Sequence, residues 1–286
     1  MHRAGRVDVR GGGKGVNVAR ALRSVGLSAP VLGLSAGRTG GAVLALLEDE
    51  GIETVGVPAR GETRSCLAIV SAGDVTVFNE PGPQIDSATW ADLEDRVAAH
   101  LGSGSIFVCS GSFPPGAPED AAGRLVRRAK EIGCTTICDT SAGQLTCALE
   151  AAPDLIAPNL AEAESLLHGR VEESVAEGAD ALERAHRAAE ALRARGPGAV
   201  LVTAGARGAV LARRDHSLSL EALAVTVCNP VGAGDCLVAG IAAGLARGGD
   251  LASSARHGMA LAAAGCETFA AGVIDRQRVE ELLATA

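Results

Sequence analysis

The sequence has no tyrosine, one tryptophan and four phenylalanines among its 286 residues. A surface that reads nucleic-acid bases by stacking them on aromatic rings has almost nothing to build with here. Lysine is nearly as scarce. Lys14 and Lys130 are the only two, and the other 24 cationic residues are arginines, mostly placed as on solvated helix faces, as at Arg193 and Arg195. With a net charge of −8 the chain offers no basic stripe to a polyanion, so we expect no nucleic-acid partner, and any anion site has to be built locally. No uninterrupted apolar run of about 18 residues occurs, and residues 1–6 contain no hydrophobic signal core. We therefore expect a cytoplasmic protein with no membrane partner.

Paired cysteines are missing too. The eight cysteines form no Cys-x-x-Cys pair and read as small hydrophobes; Cys109, Cys134, Cys138 and Cys228 fall in runs that look like buried strands, which fits a reducing compartment. Cys236 reads as a packed helix position rather than a reactive thiol. The six histidines are scattered without ligand spacing, which argues against a zinc site.

What the chain does have is apolar mass. With 47% hydrophobic and 21% charged residues, it suits one large α/β domain with an appendage. Its most telling stretch is 228–240, Cys-Asn-Pro-Val-Gly-Ala-Gly-Asp-Cys-Leu-Val-Ala-Gly. Residues 225–228 are a short β-branched run, and small apolar residues keep helical spacing from Leu237 to Leu245, so Gly232, Ala233, Gly234 and Asp235 form a loop and a first helical turn. Glycines there let an anion approach the unpaired amides of a helix N-terminus. A carboxylate in that turn is placed to take a proton from an attacking hydroxyl. Taken alone, Gly-x-Gly-Asp is more readily an ordinary β–α turn with a capping aspartate.

A second glycine turn lies near the start. Residues 6–10 alternate like a half-exposed strand and run into Gly11-Gly12-Gly13-Lys14-Gly15-Val16-Asn17, after which Val18, Ala21, Leu22 and Val25 keep helical spacing until Gly26. Lys14 and Asn17 are candidates to meet a ligand; the alternative is a surface lysine beside a flexible loop. Strand, helix and strand follow at 30–34, 40–50 and 52–57. Residues 63–80 then read as a hairpin turning at Gly73-Asp74 with no helix to cover it. Beside a Val7–Val9 strand it suggests a small sheet projecting over a cleft as a lid. A helix at 87–100 returns the chain to the core. We place the core at 11–55 and 84–286 and the lid at 1–10 and 56–83.

From 105 onward strands at 105–109, 135–139, 154–157 and 199–203 alternate with helices at 117–133, 141–150, 160–168 and 179–195, which predicts a mostly parallel sheet covered by helices. Ligands of such sheets bind beyond the strand C-termini. Polar clusters fall there: Ser110-Gly111-Ser112, Asp139-Thr140-Ser141, Pro158-Asn159, Thr203-Ala204-Gly205 and Gly232 to Asp235. Each by itself could be turn chemistry; together, at one edge, they make a site.

Gly12-Gly13-Lys14-Gly15-Val16-Asn17 with Asn229-Pro230-Val231-Gly232-Ala233-Gly234-Asp235 resembles the two signatures of the PfkB carbohydrate kinases, of ribokinase-like fold. Thr63-Arg64, Asn79-Glu80-Pro81-Gly82-Pro83, Ser110 to Gly116 and Asn159-Leu160-Ala161-Glu162 fall in the family's order and are similar to its sugar-phosphate branch. The resemblance implies that Asp235 is the catalytic base and that Gly232, Ala233 and Gly234 form its anion hole. It implies that Asn159 and Glu162 hold magnesium through water and order the ATP phosphates. Without it they read as a helix N-cap and a surface acid. It further implies that Thr203, Gly205 and Gly208 belong to the nucleotide loop, and that Gly12, Gly13, Lys14, Asn17 and Arg64 meet a phosphorylated acceptor.

The sequence departs from the family pattern at two places. Ala157 stands where relatives usually carry a lysine that reaches ATP. Only ten residues precede Gly11, where relatives have a first core strand ending in an acidic residue, so the expectation is a product that begins further upstream or a truncated relative. The implied activity is ATP- and magnesium-dependent phosphorylation of a primary hydroxyl of a ketohexose phosphate. Fructose 1-phosphate leads, and fructose 6-phosphate or tagatose 6-phosphate are alternatives. A dinucleotide-dependent dehydrogenase is disfavoured because the early glycines lack Gly-x-Gly-x-x-Gly spacing and an acidic partner about 20 residues on. A non-catalytic sugar-phosphate sensor stays open, as does a homodimer formed through the lid.

Overall fold

The computed structural model describes residues 3–71, 74–140, 142–169 and 178–284. The chain opens with helix α1 (Lys14–Ser24), strand β1 (Val31–Ala36), helix α2 (Gly37–Asp49) and strand β2 (Thr54–Ala59). β1 and β2 pair in parallel as a sheet of their own. β3 (Cys66–Ser71) and β4 (Asp74–Asn79) follow as an antiparallel hairpin; of its predicted turn at Gly73-Asp74, Gly73 lies outside the described residues, while Asp74 opens β4 opposite Ser71. Then come α3 (Ser87–His100), β5 (Ile106–Gly111), α4 (Ala121–Ile132), β6 (Thr135–Thr140), α5 (Ala142–Glu150), β7 (Leu155–Ile156), α6 (Leu160–His168), α7 (Ala181–Arg193) and β8 (Ala199–Thr203). β9 (Ala209–Ala212) and β10 (Ser217–Leu220) complete the strands, and α8 (Ala233–Ala246), α9 (Leu251–Cys266) and α10 (Arg276–Ala284) close the chain.

The main sheet has six strands in the order β10-β9-β8-β7-β6-β5. β5 to β8 are parallel, and β9 and β10 extend the sheet antiparallel. Its two faces are dressed differently, as period-2 alternation requires. Cys138, Ile156 and Val200 point into a core completed by Leu125, Leu145 and Leu192. Their neighbours Ile137, Leu155 and Leu201 point into the opposite core with Leu237, Ile241 and Leu261 of α8 and α9. α4 shows the local logic: Leu125, Val126 and Ala129 are buried on one face while Arg124, Arg127 and Arg128 carry ion pairs on the other, and the helix ends at Gly133, whose φ of 92° forms a left-handed C-cap. α8 is apolar all round, so it can exist only buried. It lies against α9 at a crossing so tight that a Cβ on Gly240 would sit 2.6 Å from Gly258 Cα.

Three expectations need correction. Residues 6–10 are exposed and pair with no strand, so the lid sheet is the β3–β4 hairpin alone among the described residues. Residues 225–228 are not a strand either. The amides of Cys228 and Asn229 both donate to Cys266 O at the end of α9, at 2.8 and 3.1 Å, which holds the segment on a helix instead of in the sheet and leaves Cys228 exposed. The sheet's antiparallel extension was not foreseen, because β9 and β10 are four residues each and too short to show a period. Helix 117–133 begins only at Ala121, after a turn in which the Ala121 amide donates to Pro118 O. Ser141 lies outside the described residues. Among the described residues no helix is long and apolar enough to cross a membrane.

Candidate active site

A cavity of about 1270 Å³ opens over the C-terminal ends of β5 to β8 and is walled by the heads of α1, α6 and α8 and by the inner face of the lid hairpin. The structure brings Gly12, Gly13, Lys14, Asn17, Arg64, Asn159, Glu162, Thr203, Gly205, Gly208 and Gly232 to Asp235 to its wall. From the lid it is reached by Cys66, Ala68, Val77 and Asn79, the side of the hairpin opposite Leu67 and Phe78.

Gly232 turns the chain into α8. Its φ of 87° is left-handed, and a Cβ there would stand 2.9 Å from that of Ala271, so both backbone angle and space require glycine. Asn229 locks the approach from behind: its Nδ2 donates to Phe269 O at 2.8 Å and its Oδ1 accepts the Val231 amide at 3.0 Å. The Ala233 amide is used by Pro230 O and that of Cys236 by Gly232 O, while those of Gly234 and Asp235 donate to no backbone acceptor among the described residues. Added Cβ atoms at Gly12, Gly13, Gly205 and Gly234 would meet nothing within 4 Å. That is the form of a cradle whose wall is backbone, open to a group that needs close contact with amides. Gly208 differs, since a Cβ there would strike Leu220 O at 2.2 Å; it is glycine for packing.

Asp235 is 3% exposed and accepts a hydrogen bond from Asn17 Nδ2 at 2.7 Å. Burial pushes its carboxyl up to about 7. The Asn17 bond and the Lys14 charge pull it down, and the carboxylates Asp139 and Glu162 add to the rise. Lys14 Nζ donates to the buried Asp139 Oδ1 at 2.7 Å, and Ser110 Oγ to its other oxygen at 3.3 Å. Burial works against the Lys14 charge, but Asp139 first, then Asp235 and Glu162, outweigh it and hold the ammonium above its ordinary pKa. Lys14 is thus no surface lysine. Burial drives the Cys236 thiol up to about 12, which keeps it an unreactive packing residue.

Asn159 and Glu162 form a capping box at the head of α6: Asn159 Oδ1 accepts the Glu162 amide at 2.8 Å and Glu162 Oε2 the Asn159 amide at 2.9 Å. Arg64, between hairpin and core, donates to Ser112 Oγ at 3.0 Å. Two residues of this network received no role from the sequence: Asp139, named there only within a polar cluster at a strand end, and Arg20. Asp139 carried a signal, an acid at the C-terminal end of a buried strand. Arg20 carried a fainter one, a cation one helical turn beyond Asn17.

A helix head with two amides unused by the backbone, a buried carboxyl titrating near neutrality and an open backbone cradle suit transfer of an anionic group to a hydroxyl. Comparison with known proteins gives that chemistry a family. Residues 1–276 match the model of the pfkB family carbohydrate kinases. A 1-phosphofructokinase of Xanthomonas campestris pv. campestris is 35% identical over 251 residues, covering 86% of this chain and 76% of that protein. The crystal structure of phosphofructokinase-2 from Escherichia coli in complex with potassium superposes with a TM-score of 0.85 at 28% identity, over 96% of this chain and 87% of that one. Ribokinase of Arabidopsis thaliana, at 21% identity and a TM-score of 0.75 over 95% and 87% of the two chains, shares the fold. With the glycine loops, Asp235 and nearly the whole length accounted for by one pattern, the chain belongs to the pfkB family of carbohydrate kinases, phosphotransferases of ribokinase-like fold.

Proposed function

We propose that this kinase transfers the terminal phosphoryl group of ATP to a primary hydroxyl of fructose 1-phosphate, giving fructose 1,6-bisphosphate and ADP. The observation that carries the reading is Asp235, a buried carboxylate titrating near neutrality at the head of a helix with two uncommitted amides. In this reading Asp235 takes the proton of the acceptor hydroxyl as its oxygen bonds to the γ-phosphorus and the bond to the ADP oxygen breaks. The Gly234 and Asp235 amides face the charge that gathers on the phosphoryl oxygens. Arg64 and Lys14 hold the phosphate the acceptor already carries, with Asn17, Gly12 and Gly13 shaping its sugar end.

The nucleotide fits the rest of the cavity. Thr203, Gly205 and Gly208 supply a polar turn, and Leu223, Val225, Val227, Ala262 and Cys266 an apolar wall for a base without aromatic stacking. Asn159 Oδ1 and Glu162 Oε2 each accept a backbone amide in the capping box, which fits a hydrated cation held through water rather than one ligated directly. Magnesium, when bound there, supplies positive charge to the polyphosphate. With Ala157 in place of a lysine, the nucleotide's positive contacts rest mainly on that cation.

The 1-phosphofructokinase relative supports the acceptor assignment. One observation favours a second acceptor: phosphofructokinase-2 of Escherichia coli, 27% identical with a TM-score of 0.83, was crystallised with fructose 6-phosphate. An acceptor panel read by coupled ADP release separates the two. Fructose 1-phosphate should give the highest kcat/KM; a higher value for fructose 6-phosphate would replace it, and equal use of free fructose would end the phosphosugar assignment. We also propose that two copies associate through the outer face of the lid, where Leu67, Ile69 and Phe78 are exposed.

A further inference from the structure

Arg20 lines no part of the cavity, yet it is 6% exposed and fully committed. Its Nη2 donates to Gly11 O at 2.7 Å and to Glu50 Oε1 at 2.9 Å, its Nε to Glu50 Oε2 at 2.5 Å, and its Nη1 to Asn17 Oδ1 at 3.0 Å and Ala271 O at 3.3 Å. One guanidinium therefore ties together the glycine loop, the C-cap of α2, the segment that packs on Gly232, and Asn17.

The contact with Asn17 has a chemical consequence. A carboxamide presents an oxygen on one side and an NH2 on the other, and a guanidinium, which has donors only, can take only the oxygen. With Oδ1 held by Arg20, the NH2 is turned toward Asp235, where Nδ2 donates to Oδ2 at 2.7 Å. The reversed amide would set its oxygen against the carboxylate.

We infer that Arg20 is a positioning residue for phosphoryl transfer: by holding the Asn17 oxygen it makes Asn17 donate to one oxygen of Asp235, which aims the other at the acceptor hydroxyl. The inference rests on Asp235 being the base. The other groups facing Asp235 are Lys14 from α1, Asp139 at the end of β6 and Glu162 from α6, while α9 brings Cys266 near the adjoining Cys236. Arg20 is not among them, so its influence passes through the Asn17 amide.

A double-mutant cycle tests this. Arg20→Lys keeps the charge but loses the fork that reaches Asn17 and Glu50 together, and should lower kcat about tenfold with less than about a twofold change in acceptor KM. In an Asn17→Ala background the same change should cost less than about twofold. The acid limb of the kcat–pH profile should move upward in Arg20→Lys and in Asn17→Ala alike, because both take a stabilising donor from the ionised base. Glu50→Gln, which leaves Arg20 in place and loosens its anchor, should show a smaller loss with the same dependence on Asn17, and it decides the matter if Arg20→Lys does not fold. Equal losses with and without Asn17, or an unmoved acid limb, would reduce Arg20 to a structural ion pair. Asp235→Asn run in parallel tells the two failures apart: if it keeps turnover the base assignment falls, and if it is inactive while the Arg20 and Asn17 losses are additive only this inference falls.

Discussion

Helix α8 and the lid hairpin are both written in small and branched apolar residues, and the fold treats them in opposite ways. α8 lies between the main sheet and α9, and Leu237, two residues past the base, is 1% exposed. The hairpin has two strands and neither face buried; Leu67 and Phe78, directly opposite each other in its ladder, are each 59% exposed on the outer side, and Val77 is 45% exposed on the cavity side. The difference is one of layers. A helix packed on both sides can hold a carboxylate in a low-dielectric position and keep it aimed, whereas a two-stranded sheet standing by itself is marginal in water and suits a cover more than an anchor. The proposed base, Asp235, is accordingly set in the first region, and Arg64, which we propose reads the acceptor, sits beside the second.

Removing the base should break the comparison most severely. Asp235→Asn keeps the shape and loses the proton acceptor, so turnover should fall at least about a hundredfold while binding of ATP and sugar phosphate is retained. The same substitution should act on stability with the opposite sign. The native carboxyl titrates at about 7, above the ordinary 3.8, so its contribution to stability is complete below the unfolded value and is lost as pH rises through 7. Asp235→Asn should therefore melt higher than the parent at pH 8, with the gap closing toward pH 4, while parent activity rises through the window in which its stability falls. Thermal melts at the two pH values beside a pH–rate profile check both signs; a parent that is fully active at pH 5 would place the base elsewhere.

Leu237→Ala tests the buried side of the comparison, so its effect is read from unfolding rather than from turnover, because Leu237 also lines the cavity. A fully buried leucine cut to alanine costs about 2–5 kcal/mol, measured by urea unfolding. A loss below about 1 kcal/mol would mean that α8 is not packed as tightly as its glycine crossing implies. Arg64→Ala tests the lid side. Loss of a charge-assisted contact with the acceptor's phosphate, about 1.5–3 kcal/mol, should raise the acceptor KM roughly tenfold to a hundredfold and leave the KM for ATP nearly unchanged. If both constants rose together, Arg64 would be closing the lid instead of reading the sugar.

The same contrast explains what could be read from the sequence. The core's strands and helices were legible because a covering helix such as α4 carries its own period and a central strand such as β6 is a continuous buried run, and the glycine loops were legible because backbone angle and ligand access both demand glycine at fixed places. Residues 225–228 misled because a β-branched run fits a strand, yet its amides are claimed by Cys266 O, 38 residues further along the sequence from Cys228, a pairing no local pattern encodes. Val7 and Val9 misled in the same way, alternating like a strand without a partner. The link between Lys14 and Asp139, 125 positions apart, and that between Arg20 and Glu50, 30 apart, exist only after folding, so the sequence could place Asp139 at the sheet's edge but could not show which partners it or Arg20 would hold.

The smallest stability effect, and the one that sharpens the comparison most, belongs to the outer face of the lid. Leu67 and Phe78 cover nothing in the single chain, so replacing both by serine should change the unfolding free energy measured at low protein concentration by no more than about 0.5 kcal/mol per site. The cross-strand pair contributes little more than that, since its contacts reach neither core. What should change is association. A bare apolar strip this regular attracts a like strip, and if two copies meet there, the parent's melting temperature rises with protein concentration while that of the double variant does not. Light scattering should then give twice the chain mass for the parent and the single-chain mass for the variant. Should the variant instead unfold several degrees lower at every concentration with its mass unchanged, Leu67 and Phe78 would be packed within their own chain, and the lid would be a layer of the core after all.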